Sequence, residues 1–304
     1  MLRSPAEMAA ELATLSDLAR EWLRPVGGEP RAVRPRDQLL LLSHQHTSEH
    51  LAQVYDPVVC LVVQGEKETL TTTRRHVIAA GEFLVVTHDM PVVSRITKAS
   101  PDKPYLALIL SLDKDILADL QHTARESPAP DDSDPYALRV GDADIDLVDA
   151  FVRYLRALEE PNNTAVLLPL VSREIHHRLL NTPPGATLRR LSLGQQPAVA
   201  VSNAIRLIRQ DLTATLSIRT IASQVGLSPS ALHHHFRVVT GTSPLQFQKR
   251  LRLLEARRLI QANIRSVTDA AYEVGYSSPT QFSREYRRAF DHPPSHDRLN
   301  TTAS

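Results

Sequence analysis

Hydrogen-bonding side chains recur at helical spacing in two short runs of this 304-residue chain, about fifty residues apart. The first run carries Ser230, His233, His234 and Arg237, and the second carries Thr280, Gln281, Ser283, Arg284 and Arg287. Such side chains read base edges: a guanidinium grips guanine O6 and N7 bidentately, and a carboxamide pairs with adenine. Arg284 is the candidate guanine reader of the set and Gln281 the candidate adenine reader, whereas Arg237 and Arg287 serve phosphate contacts equally well.

Other chemistry finds less support. His44-x-His46-x-x-x-His50 is the best metal candidate among 13 histidines, yet no motif supplies the matching Glu and later His, so no metal is expected. His233, His234 and His235 are consecutive on a helix, fan over different faces and make a poor chelate. Cys60 is the only cysteine, which excludes an intrachain disulfide and a Cys-rich zinc module. Within the apolar run Pro57-Val58-Val59-Cys60-Leu61-Val62-Val63 it reads as a buried small hydrophobe. The sharper alternative is a thiol that lines a sensor cavity and reacts with an electrophile or oxidant. With no nucleophile–base motif and no phosphate loop, neither a catalytic residue nor a cofactor is expected.

The elements that must position the base-reading side chains repeat as well. Ser217-Ile218-x-x-Ile221-Ala222-x-x-x-Gly226-Leu227-Ser228 is matched by Ser266-Val267-x-x-Ala270-Ala271-x-x-x-Gly275-Tyr276-Ser277. Ala222 and Ala271 let two helices cross closely. Gly226 and Gly275 sit where the first helix of each pair ends, a place for positive φ. Ser228, and Ser277 or Ser278, cap the next helix, with Pro229 and Pro279 in its first turn. Leu232 and Phe236 answer to Phe282 and Tyr286 as core anchors. The pattern predicts two tandem helix-turn-helix units, joined by one long helix from Pro244 to Ala262. A rigid connector of that kind sets the two recognition helices about one DNA turn, or roughly 34 Å, apart on one face.

Charge agrees. Residues 197–304 hold 14 Lys plus Arg against 7 Asp plus Glu, near +7, while the remainder is near −6, so the overall +1 conceals two opposed halves. A basic half with groove-sized helices is the electrostatic footprint of a DNA binder.

Residues 217 to 298 resemble the DNA-binding domain of the AraC/XylS family of bacterial transcription regulators. The resemblance rests on Thr240-Gly241-x-Ser243-Pro244-Leu245-Gln246, Leu251-Arg252-Leu253-x-x-Ala256-Arg257-x-Leu259-Ile260 and Val274-Gly275-Tyr276-x-Ser278-x-x-x-Phe282-Ser283-Arg284. Phe290-Asp291 stands where the family often has Phe-Gly, Asp297-Arg298 closes the pattern, and His233-His234-His235 replaces the Arg many relatives carry in the first recognition helix. Val54-Tyr55-Asp56-Pro57 with Cys60-Leu61-Val62-Val63-Gln64-Gly65-x-Lys67, and Ser100-Pro101-x-x-Pro104-Tyr105-Leu106-Ala107-Leu108, are similar to the amino-terminal domain of one branch. That likeness implies a cupin-like sensor module.

Periodicity fits such a module. An amphipathic stretch at 7–23 is followed by β-prone runs at Leu39–Leu42, Val58–Gln64, Glu68–Thr72, His76–Ile78, Phe83–Thr87, Val92–Ile96 and Tyr105–Leu112. Helical patterning resumes at 114–126, an acidic Pro-rich stretch at 127–135 reads as a mobile loop, and 144–159 and 164–180 read as paired amphipathic helices. The pair is a natural dimerisation surface or, alternatively, a cover for one face of the barrel. No run approaches the roughly 20 apolar residues that span a membrane.

The expected fold is α+β: a cupin-like β-barrel with a helical hairpin at 1–183, a linker at 184–196, and an all-α tandem helix-turn-helix domain at 197–304. The expected function is a sequence-specific, cytoplasmic transcription regulator of double-stranded promoter DNA, homodimeric, with a small-molecule effector and, if an activator, RNA polymerase as partners and no membrane. The alternatives are a cupin-like metal-dependent enzyme with an appended DNA-binding domain, and an amino-terminal domain that only dimerises.

Overall fold

The computed structural model describes residues 4–25, 28, 31–36, 38–123, 134–160, 162–194 and 197–299. The first helix, α1 (Pro5–Leu23), begins in a capping box: the Ser4 hydroxyl accepts from the Glu7 N–H, and the Glu7 carboxylate accepts from the Ser4 N–H. Nine strands follow: β1 (Arg31–Arg36), β2 (Leu39–His44), β3 (Leu51–Tyr55), β4 (Val58–Gln64), β5 (Glu66–Leu70), β6 (Arg75–Ala79), β7 (Glu82–Val86), β8 (Met90–Lys98) and β9 (Tyr105–Ser111). Next come α2 (Lys114–Thr123), β10 (Leu138–Asp142), α3 (Ile145–Leu158), α4 (Thr164–Leu180) and α5 (Gly185–Ser192). The strands form a six-stranded sheet in the order β1-β2-β9-β4-β7-β10 and a four-stranded sheet in the order β3-β8-β5-β6.

Alternation along the strands decides what each sheet face does. Val59, Leu61 and Val63 of β4, Phe83 and Val85 of β7, and Leu106, Leu108 and Leu110 of β9 share one core with α1, α3 and α4. Cys60, Val62, Tyr105 and Ala107 alternate with them, so they belong to the opposite face of the same sheet. At Gly65 (φ +81) the chain passes from β4 into β5, and a Cβ there would lie 2.5 Å from the Lys98 carbonyl oxygen and 2.9 Å from Tyr105 Cα. Only glycine permits that passage.

Several elements differ from expectation. The strand expected at Glu68–Thr72 is Glu66–Leu70, and β1, β3 and β10 are additional. The apolar face of α4 is split: Leu168, Val171, Ile175 and Leu179 form its buried stripe, while Leu170 is 60% exposed. The expected linker at 184–196 holds α5, whose Ala186 and Leu188 are buried, so that stretch is helical for most of its length. The loop expected at 127–135 lies largely outside the described residues.

The chain divides into two compact units, Met1–Leu51 with Tyr55–Ala198, and Ala52–Val54 with Val199–Ser304. The second contains α6 (Ala198–Gln210) from its second residue onward, α7 (Ile218–Gln224), α8 (Pro229–Thr240), α9 (Pro244–Gln261), α10 (Val267–Glu273), α11 (Pro279–Phe290) and α12 (Pro294–Leu299). Among the described residues no helix is long and apolar enough to cross a membrane.

Candidate nucleic-acid interface

Local sequence builds the same frame twice. Ser217 and Ser266 cap α7 and α10 through the N–H groups of Thr220 and Asp269. The first helix of each pair runs into Gly226 (φ +71) or Gly275 (φ +90). Ser228 then accepts from the Ala231 N–H to cap α8, and Ser278 from the Gln281 N–H to cap α11, each with proline following. The cap of α11 is therefore Ser278, and Ser277 is an extra turn residue. Helices α7 and α10 start 49 positions apart, at Ile218 and Val267, whereas α8 and α11 start 50 apart, at Pro229 and Pro279. Ala222 and Ala271 are fully buried at the crossings. Edge-to-face rings fill the cores: Phe236 meets Phe247 at 5.3 Å, Tyr276 meets Phe282 at 5.3 Å, and Tyr286 meets Phe290 at 4.5 Å.

The fifty-residue register brings the candidate side chains into equivalent places: Ser230 with Thr280, His233 with Ser283, His234 with Arg284, and Arg237 with Arg287. Ser230, His233, His234 and Arg237 are exposed on α8, as are Thr280, Arg284 and Arg287 on α11, while Ser283 is half-buried. Gln281 is placed differently. Its Nε2 donates to Glu285 Oε1 at 3.0 Å, and Glu285 also accepts from Lys249 Nζ and the Tyr276 hydroxyl, each at 2.9 Å. Burial pushes the Glu285 carboxyl up, but these donors outweigh it and hold it below its ordinary value. The carboxamide thus belongs to a network joining α11 to α9. Arg288 was not among the candidates, yet it is exposed one turn beyond Arg284 on the same stripe; the i, i+4 spacing was the signal for it.

Helix α9 holds both units. Arg252 donates from Nε to the Leu212 carbonyl (2.5 Å), from Nη1 to the Gly275 carbonyl (3.1 Å), and from Nη2 to the Thr213 and Ala214 carbonyls (3.1 Å each). Gln248 Nε2 donates to the Leu212 and Ala214 carbonyls at 3.3 and 2.9 Å. A Cβ on Gly275 would stand 2.8 Å from Thr213 Cα, so the second turn is seated on the segment that precedes the first unit. At the far end Asp297, 4% exposed, accepts from the Tyr286 hydroxyl (2.5 Å), Gln261 Nε2 (2.8 Å) and Arg257 Nη2 (3.2 Å). Burial raises its pKa, and Tyr286 and Arg257 more than reverse that.

Of the other candidates, His44 lies on β2, and His46 and His50 are exposed in the following loop. Among the described residues no group of three His, Cys, Asp or Glu is placed to hold a metal ion. Cys60 is a buried free thiol.

Residues 35–187 match the family model described as the AraC-type transcriptional regulator N-terminus. The chain belongs to the AraC-type transcriptional regulators. Residues 221–300 match a helix-turn-helix domain model, so this AraC-type regulator carries its helix-turn-helix DNA-binding domain in the carboxy-terminal unit. The HTH-type transcriptional activator RhaS of Escherichia coli is 40% identical over 74 residues, 24% of this chain and 27% of the relative. RhaS of Citrobacter koseri is 40% identical over 75 residues, 25% of this chain and 27% of the relative. The match therefore spans little more than a quarter of either RhaS protein. ToxT from Vibrio cholerae, in an apo crystal structure, has a similar fold at TM-score 0.55 and 10% identity, covering 87% of this chain and 98% of ToxT. ToxT bound to an unsaturated fatty acid aligns at TM-score 0.53 and 10% identity over 90% of this chain and 99% of that one.

Proposed function

We propose that this AraC-type regulator reads promoter DNA by seating α8 and α11 in successive major-groove segments. Ser230, His233, His234 and Arg237 face one segment, and Thr280, Ser283, Arg284 and Arg287 the other. The observation that carries the reading is the common register of exposed donors on two identically capped helices. Recognition helices present their amino-terminal residues to base edges. On this reading Arg284 contacts guanine, Arg237, Arg287 and Arg288 contact phosphate, and Gln281 steadies α11 rather than leading the search for adenine.

The amino-terminal unit takes the sensing and pairing roles in this proposal. Val166 (65% exposed) and Leu170 (60% exposed) lie on the outward face of α4, and a second copy of the chain is the partner they fit. The RhaS relatives are named activators, and by that likeness this protein activates transcription through RNA polymerase. As a reader of chromosomal DNA it works in the bacterial cytoplasm.

A footprint on DNA upstream of the protein's own and neighbouring genes tests the reading. Two protected segments about one helical turn apart are expected. Arg284→Ala should weaken binding by about 1–3 kcal/mol and relax preference at one base pair. Arg237→Ala should weaken binding across sequences and reduce the salt slope by about one unit. Equal loss on cognate and random DNA with Arg284→Ala would overturn its role as a base reader.

A further inference from the structure

The two recognition helices share a register but not a charge. On α11, Arg284, Arg287 and Arg288 are exposed along one stripe, and a guanidinium is cationic at every pH of interest. The same three positions of α8 are His234, Arg237 and Val238, all exposed, so one fixed cation stands where α11 has three. His233 is exposed as well, at the register position of Ser283. Imidazole is the side chain whose ordinary titration falls between about pH 5 and 8. The α8 face therefore carries one positive charge or as many as three, according to its protons, while the charge of the α11 face is constant.

The surroundings of α8 leave that charge free to change. Helices α7 and α9 pack on it. Arg219 is the one charged residue of α7, and neither α7 nor α8 contains an acid. The single acid of α9, Glu255, pairs with Arg258 at 2.7 Å. The other cations of α9 are turned to partners of their own: Lys249 to Glu285, Arg250 to the Ala289 carbonyl, Arg252 to the Leu212 carbonyl and Arg257 to Asp297. His235, half-buried at the register position of Glu285, meets the His234 ring edge-to-face at 5.2 Å. A proton on either of these rings opposes one on the other, so the pair takes up one and His233 takes up another.

We propose that His233 and His234 make the α8 half of the DNA contact proton-linked, so that this regulator grips one groove segment with fixed charge and the other with charge acquired on binding. This rests on the seating of α8 and α11 in successive major-groove segments and adds a property that α11 lacks. The negative field of the phosphates favours the imidazolium form. An imidazolium that meets a phosphate releases a condensed counterion, as a guanidinium does, and a neutral ring does not. Affinity at the α8 segment therefore rises as pH falls, and its dependence on salt grows with it.

The test uses the full chain and a duplex carrying the two segments it protects upstream of its own gene, titrated with salt at about pH 6 and about pH 8, on either side of the ordinary imidazole value. One proton taken up on binding changes affinity tenfold per pH unit, so wild type should bind at least about tenfold more tightly at the lower pH. Its salt slope should steepen there by about one unit for each ring charged. In the footprint at the higher pH, rising salt should release the α8 segment before the α11 segment, whereas at the lower pH the two should be lost together. The double variant His233→Gln, His234→Gln should lose the pH dependence and keep the shallower slope. His234→Arg should hold the α8 segment at the higher pH in salt that releases it from wild type. Two protected segments with the same affinity and slope at both pH values, or a pH dependence that the double variant retains, would overturn the proposal and leave the groove reading standing. If neither segment is protected at either pH and Arg284→Ala binds DNA as wild type does, the groove reading fails and the proposal fails with it.

Discussion

Asp297 stands on the shortest helix of the DNA-binding unit, yet it holds the second recognition helix in place. Its carboxylate receives Tyr286 of α11 and both Gln261 and Arg257 of α9, inside a site only 4% exposed. Asp297→Ala removes all three acceptor contacts and leaves the Arg257 guanidinium, itself 13% exposed, without its counter-ion. Breaking a buried ion pair in this way costs about 3–5 kcal/mol, and residual access of water to Arg257 favours the lower end, about 3 kcal/mol. Asp297→Asn, which still accepts from Tyr286, should cost about half as much. The carboxyl titrates below its ordinary 3.8 when folded. Its stabilisation is therefore present above that value and is lost as pH falls through the folded pKa, so wild type and Asp297→Asn should converge in stability in strong acid. The lone tryptophan, Trp22, lies on α1 and reports on the other unit. Amide exchange in α11 is the suitable readout, with the footprint beside it: protection at the α11 segment should vanish while that at the α8 segment persists. Exchange in α11 slowed to within about 1 kcal/mol of wild type, with both segments protected, would refute the role assigned to Asp297.

Three further outcomes follow from single positions. Asp291 holds the left-handed C-cap of α11 (φ +63) where Gly241 serves α8 (φ +75), so Asp291→Gly should stabilise by about 0.5–1 kcal/mol and Gly241→Ala destabilise by about 1–2 kcal/mol, both measurable by denaturant unfolding. His88 is fully buried and bonded to Thr87 and the Ala198 carbonyl, and burial lowers its pKa from 6.5 to about 4. Because the unfolded imidazole takes up its proton first, stability should fall by up to about 3 kcal/mol as pH drops from 6.5 to 4, and His88→Gln should flatten that limb of the pH–stability curve. Arg252→Met should leave each helix-turn-helix folded but widen the range of half-segment spacings bound, as scored by selection from spacing libraries.

What could be read in the sequence was whatever local chemistry decides. The turn glycines, the serine caps and the prolines after them act within four residues of their own position, so both helix-turn-helix units are legible in the sequence alone. Apolar alternation did the same for β4, β7 and β9. Strand β1, Arg-Ala-Val-Arg-Pro-Arg, escaped because an edge strand half-exposed along its length has no apolar signature. Helix α5 escaped because Pro183-Pro184-Gly185 signals a break, although Gly185 is buried against the Leu179 carbonyl and starts a new helix there. Among the candidate DNA contacts, the engagement of Gln281 by Glu285 depends on Lys249 and Tyr276 arriving from other elements. The roles of Asp297 and Arg252 depend likewise on partners 11 to 40 positions away. Spacing along one helix contains no trace of them.

Arg252 and Gly275 together make the DNA-binding unit a caliper rather than a pair of hands. One guanidinium grips the carbonyls ahead of the first turn and the carbonyl inside the second, and the glycine has no room for even a methyl group. Jaws that cannot open measure a single distance. An inserted base pair would carry the far groove about 3.4 Å along the axis and about 35° around it, beyond what the jaws can follow. On the proposed reading, promoters served by this regulator can therefore drift in letters at each half-segment more freely than they can gain or lose a base pair between them.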